Sequence, residues 1–234
     1  MEVRIAVSKT QKYATSDSGD TVEVVERPNG GLSVVMADGQ SSGRGAKWIS
    51  TMVVRKVIAL LAEGVRDGAA ARAASDYLYT ERSGKVSATL NILSVDKQTN
   101  TLVITRNNPA PVLVAINEEI KVLDEKCSPI GLLRDTRPTI NEIPIDAGLT
   151  VVMYTDGLVH AGSRYGEIMD VIACVQSLLE EEDPSPQFIA DDLLDTAVRL
   201  DQGRPSDDIS ITVMRVTSYT GDDVRRMSVQ LPLD

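Results

Sequence analysis

Two apolar runs stand out from a chain that otherwise alternates. Leu32-Ser-Val-Val-Met-Ala leads into Asp38-Gly39, and Leu149-Thr-Val-Val-Met-Tyr-Thr leads into Asp156-Gly157. Val-rich runs of this kind predict strands buried on both faces. Val3–Val7 alternates as a first strand, and a polar loop follows over 8–20. Thr21–Glu26 and Leu32–Ala37 flank Pro28-Asn29-Gly30-Gly31, which predicts a hairpin. Ile49, Val53, Val57, Leu60 and Leu61 recur with helical spacing along Ala46–Glu63. Ser41 and Ser42 precede this stretch and Gly64 ends it, so 42–65 reads as one helix. Ala-rich Asp67–Arg82 reads as a second helix on the same face.

A strand-rich block comes next. Ser87–Asp96 and Thr101–Thr105 join across Lys97-Gln98-Thr99-Asn100, and Pro111–Ile116 and Ile120–Leu123 join across Asn117-Glu118-Glu119. Thr139–Ile145 precedes Leu149–Thr155 with Asp146-Ala147-Gly148 as the turn. Hairpins this closely spaced predict antiparallel pairing. Helices are expected over Arg164–Glu181 and Pro186–Asp201, separated by the acidic run Glu180 to Asp183, and Ile209–Val216 closes the pattern. The reading is a single α+β domain over 1–218, with a tail over 219–234. In the tail Met227, Val229, Leu231 and Leu233 alternate and read as one more edge strand, and Arg225-Arg226-Met227-Ser228 has the form of a phosphorylation site.

Composition changes this picture little. The 234 residues hold one Trp, one Phe and six Tyr, so the core must be mostly aliphatic. A net charge of −10 argues against nucleic acid and anionic membrane surfaces as partners. The longest apolar stretch, Trp48 to Leu61, is interrupted by Arg55 and Lys56, and no signal-peptide pattern opens the chain, so a cytoplasmic protein is expected. Cys127 and Cys174 lack metal-ligand spacing and read as buried thiols.

The chemistry lies in the acids. Asp38 and Asp156 end buried strands, Asp207-Asp208 precedes another, and Asp17 and Asp20 share the loop before Thr21. Unpaired carboxylates in a core are costly. Brought together, they are hard oxygen ligands suited to Mg²⁺ or Mn²⁺. Two ions roughly 3.5–4 Å apart can clamp a phosphoryl group and activate water. The residues alone leave Asp17 or Asp20, and Asp207 or Asp208, open as ligands, since either acid can cap a turn.

The ordered set Ser18-Gly19-Asp20, Ala37-Asp38-Gly39, Ser87-Ala88-Thr89, Asn107-Asn108-Pro109-Ala110-Pro111, Thr155-Asp156-Gly157-Leu158 and Asp207-Asp208-Ile209-Ser210 resembles the metal-dependent serine/threonine phosphatases of the PP2C superfamily. Within them it is most similar to the bacterial branch of SpoIIE and the Rsb phosphatases, over residues 3–216. The resemblance implies a four-layer α-β-β-α sandwich with two central antiparallel sheets and a two-ion site in a cleft at one edge. It implies Asp38 bridging two Mn²⁺ or Mg²⁺ ions, Gly39 lending its carbonyl, Asp20 on one ion, and Asp156 and Asp207 on the other, with catalysis resting on Asp38 and Asp156. The family places the ligand first in the acid pair, which favours Asp207 over Asp208, and the Ser-Gly-Asp match favours Asp20 over Asp17.

The implied activity is hydrolysis of phosphoserine or phosphothreonine on a protein partner by metal-activated water, in signalling of the partner-switching kind. An anti-anti-sigma-type phosphoprotein is the implied substrate. The chain departs from the eukaryotic branch at Gln40, where a proposed general-acid His stands, and in the altered glycine stretch Gln40 to Gly45. Lys12, Arg44 and Arg204 are candidates for a phosphate-binding cation, and His160 reads as a loop or helix-start residue without catalytic duty. Two further readings follow from these departures: a pseudophosphatase that binds phosphoproteins without turnover, and a hydrolase of small phosphate esters.

Overall fold

The computed structural model describes residues 1–116, 119–218 and 221–232. Its ten strands form two five-stranded sheets. One sheet contains β1 (Glu2–Thr10), β6 (Val112–Ile116), β7 (Glu119–Leu123), β9 (Thr150–Tyr154) and β10 (Ile209–Thr217), in the order β1-β10-β9-β6-β7. The other contains β2 (Asp20–Glu26), β3 (Leu32–Gly39), β4 (Ala88–Asp96), β5 (Thr101–Arg106) and β8 (Thr139–Pro144), in the order β2-β3-β4-β5-β8. Every pairing among the described strands is antiparallel.

The two apolar runs are central strands covered on both sides. On β3, Val34 and Met36 point between the sheets while Val35 and Ala37 pack on helices. On β9, Val151 and Met153 face the other sheet while Val152 and Tyr154 face the opposite helical layer. Alternate side chains thus meet different hydrophobic partners, and Val34 to Ala37 and Val151 to Tyr154 are closed off from water on both faces. Helices α1 (Gly43–Ala62) and α2 (Asp67–Arg82) pack side by side on the β2–β8 sheet. Helices α4 (Val171–Leu179) and α5 (Pro186–Leu200) cover the other sheet. The result is the expected helix–sheet–sheet–helix sandwich.

Local chemistry sets the helix ends. Asp170 caps α4 by accepting from Ala173 N at 3.0 Å, and Ser185 caps α5 by accepting from Phe188 N at 3.1 Å, with Pro186 in the first turn.

Several expectations change. Thr139–Ile145 and Leu149–Thr155 do not form a hairpin: β8 pairs with β5 and β9 pairs with β10 and β6. The turn at Asp146-Ala147-Gly148 carries the chain from one sheet to the other. The helix expected over Arg164–Glu181 is broken into a 3₁₀ turn, Ser163–Tyr165, and the shorter α4, because Gly166 takes a positive φ of 78° and Asp170 starts a new helix. A short helix not foreseen, α3 (Asp156–His160), follows β9 directly. Residues 221–232 form no strand or helix. Their apolar side chains at Met227, Val229 and Leu231 are exposed, so the edge strand does not form there, and Leu233 lies outside the described residues. Asn117 and Glu118 of one expected turn also lie outside them. Cys127 and Cys174 are free and only half-buried, because each stands at the margin of the core.

Candidate metal centre

The acids converge where strands from both sheets end. Asp20 opens β2 and pairs in register with Asp38 near the end of β3. Asp156 opens α3 directly after β9, and Asp207 sits just before β10. Because β9 and β10 are neighbours in one sheet and β2 and β3 in the other, the sandwich brings four acids distant in sequence to one edge. Asp38, Gly39, Asp156 and Asp207 line a cleft of about 490 Å³ together with Lys12, Gln40, Ser41, Ser42, Ser87 and Thr89.

Asp20 does not line that cleft; it is fully buried behind it. Its Oδ2 accepts from Thr155 Oγ1 at 3.0 Å and from Ser210 Oγ at 2.7 Å. Its Oδ1 has no hydrogen-bond partner. Thr155 in turn accepts from Ser210 N at 2.9 Å, so the end of β9 at Thr155 and the start of β10 present one fixed pair of hydroxyls to the carboxylate.

The two Asp-Gly glycines are required by close approach. A Cβ on Gly39 would stand 2.1 Å from Ala46 O, and one on Gly157 2.1 Å from Asp208 O. A side chain at Gly39 would push the end of β3 away from α1, and one at Gly157 would push α3 away from the residues that enter β10.

The neighbouring acids have other tasks. Asp208 is buried and accepts from Lys12 N at 3.0 Å and Gly19 N at 2.9 Å, tying the loop over 12–19 to the start of β10. Asp17 lies outside the cleft lining and pairs with exposed Arg44 at 3.5 Å. His160 ends α3 exposed, away from the cleft lining. Of the three cations considered for phosphate, Lys12 alone lines the cleft. Gln40 is used structurally: its Oε1 accepts from Ser87 N at 2.9 Å and its own N–H donates to Ser87 O at 3.0 Å.

The electrostatics are those of crowded carboxylates. Burial first, then the charges of Asp20, Asp156 and Asp207, push the Asp38 carboxyl up to about 9. Burial pushes Asp20 up to about 6 against the pull of the Ser210 and Thr155 hydroxyls. Asp207 is raised by burial and then by Asp156, although its backbone hydrogen bond and Lys12 lower it. Such a cluster is short of positive charge.

The donor set fits a divalent cation. It consists of hard oxygens only, and one buried carboxylate oxygen lacks any partner. Among the described residues, no three His, Cys, Asp or Glu side chains already stand together as a cage for one ion.

Sequence reasoning missed Lys9 and Lys47, which both donate to Asp20 O at 2.8 and 2.7 Å. It also missed Asn108 Nδ2, which donates to Tyr154 O at 3.1 Å, and fully buried Arg106, whose Nη2 pairs with Glu125 at 3.0 Å. The Asn107-Asn108-Pro109 segment carried a signal for Asn108, but nothing in the alternation of β1 or α1 marks the lysines.

A two-sheet sandwich flanked by helix pairs, with an acid-lined cleft at one edge, defines the PP2C-type phosphatase architecture. The solved PP2C phosphatase domain of SpoIIE from Bacillus subtilis, with a fragment of its regulatory domain, superposes with a TM-score of 0.80 at 19% identity, covering 94% of this chain and 64% of that one. The catalytic domain of the serine/threonine phosphatase PstP, in complex with 2 manganese ions, gives a TM-score of 0.69 at 16% identity, covering 92% and 99%. The family model for Stage II sporulation protein E (SpoIIE) matches residues 28–217, and the chain belongs to that family. Stage II sporulation protein E of Bacillus subtilis (strain 168) is 21% identical over 203 residues, which cover 87% of this chain and 24% of that protein. The chain thus spans about a quarter of that relative's length. No helix among the described residues is long and apolar enough to cross a membrane.

Proposed function

We propose that the chain is a metal-dependent protein phosphatase that hydrolyses phosphoserine or phosphothreonine on a protein partner. The observation that carries this reading is the meeting of Asp38, Gly39, Asp156 and Asp207 in one cleft, with Asp20 buried behind them. Asp38 would bridge two Mn²⁺ or Mg²⁺ ions, with Asp20 and the Gly39 carbonyl on one side and Asp156 and Asp207 on the other. Bound there, the ions supply an activated water and charge stabilisation of the phosphoryl group. Lys12 stands beside Asp207 as a cation for the entering phosphate. Ser41, Ser42 and Ser87 offer hydroxyls at the rim for the peptide flanking the phosphorylated residue. With water as the attacking group no Cys or Ser nucleophile would be needed, and a proton given up by that water would balance the serine or threonine oxygen that leaves.

The family suggests a phosphorylated anti-anti-sigma-type substrate in a cytoplasmic signalling circuit. The competing reading, a pseudophosphatase, draws on Gln40, whose amide offers no proton and is already engaged with Ser87. The test is Mn²⁺-dependent phosphate release from phosphopeptides compared with p-nitrophenyl phosphate. Release from both that is lost in Asp38→Ala supports the enzyme; p-nitrophenyl phosphate turnover with inert phosphopeptides would favour a small-ester hydrolase.

A further inference from the structure

Behind the cleft, two lysines from different elements converge on one backbone carbonyl. Lys9 Nζ reaches in from β1 and Lys47 Nζ from the second turn of α1, and both donate to Asp20 O, at 2.8 and 2.7 Å. Lys47 Nζ also donates to Thr21 Oγ1 at 3.0 Å. That hydroxyl lies 2.8 Å from Ser50 Oγ and 3.2 Å from Thr51 Oγ1 on the same helix. The start of β2 is therefore bolted to α1 on one side and to β1 on the other.

The carbonyl oxygen has two lone pairs, and a charged donor stands at it from each of two elements. Bringing two ammonium groups to it costs desolvation and mutual repulsion. β2 is an edge strand, so its pairing with β3 leaves the Asp20 backbone fixed from one side only. The carboxylate of the same residue is held through Oδ2 by Thr155 and Ser210. With the carbonyl clamped as well, Asp20 is held at both main chain and side chain, and Oδ1, on the residue registered against Asp38, is its one oxygen without a hydrogen-bond partner.

We infer that Lys9 and Lys47 are positioning residues that hold Asp20 in place for ion binding, acting through its main chain rather than by touching ion or substrate. The inference rests on the metal-centre reading above. Such outer partners orient a ligand before the ion arrives, so the ion does not have to order it. Direct repulsion between the lysines and the incoming ion predicts the opposite sign, tighter binding when one lysine is removed.

The experiment is calorimetric titration of Mn²⁺ into the metal-free full chain and its Lys9→Met, Lys47→Met, Lys47→Arg and Lys56→Met variants. Thermal melts in EDTA accompany each titration. The unaltered chain takes up two ions. Lys9→Met and Lys47→Met each weaken one of the two by roughly 10–100-fold, the range for lost outer partners, and leave the other unchanged. Lys47→Arg, which keeps a donor and the charge, recovers part of the loss. Lys56→Met, on the same helix but stacked over the Tyr77 ring, changes neither ion. Should Lys47→Met fail to fold, Lys9→Met decides alone: binding as tight as in the unaltered chain, or tighter, overturns the inference. Both Met variants binding as tightly as the unaltered chain, or more tightly, overturns the inference while leaving the metal centre standing. No uptake by the unaltered chain overturns both.

Discussion

Asp38 is the acid whose ionisation the metal-free fold resists most, and this gives a prediction with a sign and a size. Its folded carboxyl is raised to about 9 from an ordinary value of 3.8. A raised folded pKa means that the group's stabilising contribution is complete below 3.8 and is lost as pH rises through the interval up to about 9. At pH 7 the unfolded carboxyl has released its proton while the folded one keeps it. At 1.36 kcal/mol per pH unit, about 4 kcal/mol is lost by then. This is a ceiling, since water in the open cleft screens part of the repulsion. Asp38→Asn replaces the acid by a neutral group of the same shape. In EDTA at pH 7 it is expected to be more stable than the unaltered chain by up to about 4 kcal/mol, a gap that closes towards pH 4. For a chain of this size each kcal/mol moves Tm by about 2–4 °C. Thermal melts at pH 4.5, 6, 7 and 8.5 measure the gap directly, and saturating Mn²⁺ must reverse it, because the ion stabilises only the chain that binds it. A gap that is absent, negative, or flat with pH would refute the reasoning.

The remaining predictions concern rate and local structure. Asp38→Ala and Asp156→Ala should each lower phosphate release by at least ~100-fold, judged from the several kcal/mol of charge stabilisation lost with an ion, whereas Gln40→Ala should cost much less; steady-state assays on a phosphopeptide decide. Asp208→Ala should destabilise by about 2–4 kcal/mol, because the N–H groups of Lys12 and Gly19 lose their acceptor, while Asp207→Ala should spare stability and weaken Mn²⁺ binding; urea melts and calorimetry on the pair separate the two roles. Gly157→Ala should cost about 1–3 kcal/mol or more as an overpacked contact against Asp208 O, read as a lower urea midpoint with an unchanged slope.

The fold was legible in the chain wherever one face had to meet one partner. Val34 to Ala37 and Val151 to Tyr154 read as doubly buried strands, and both are, because each sheet is sandwiched between its partner sheet and a helix layer. The hairpin signals at Gly30-Gly31 and Lys97 to Asn100 also correspond to paired strands. Asp146-Ala147-Gly148 misled because a turn signal says that the chain reverses, not which sheet the next strand joins. The four acids were visible as strand ends, but the burial of Asp20 was not, since in the sequence it closes a polar loop, whereas in the fold it opens β2 against the hydroxyls of Thr155, just after β9, and Ser210 on β10. Lys9 and Lys47 were invisible for a related reason: each occupies an ordinary place in its own element, and only the packing of β1 and α1 around β2 brings them to one atom. Arg106, the last residue of β5, drew no reading from the sequence, yet it is fully buried because the Glu125 carboxylate and the carbonyls of Ala110 and Glu125 receive its guanidinium.

The central claim is that this cleft holds ions that turn over a phosphorylated protein. Its most direct measurement is phosphate release from a phosphoserine or phosphothreonine peptide by the purified chain, titrated with Mn²⁺ and reversed with EDTA. The account predicts multiple turnovers that rise with Mn²⁺, saturate with the calorimetric uptake of two ions and vanish in Asp38→Ala. Uptake of two ions together with phosphopeptide binding, but with no phosphate released above background, would contradict it and leave a phosphoprotein-binding module.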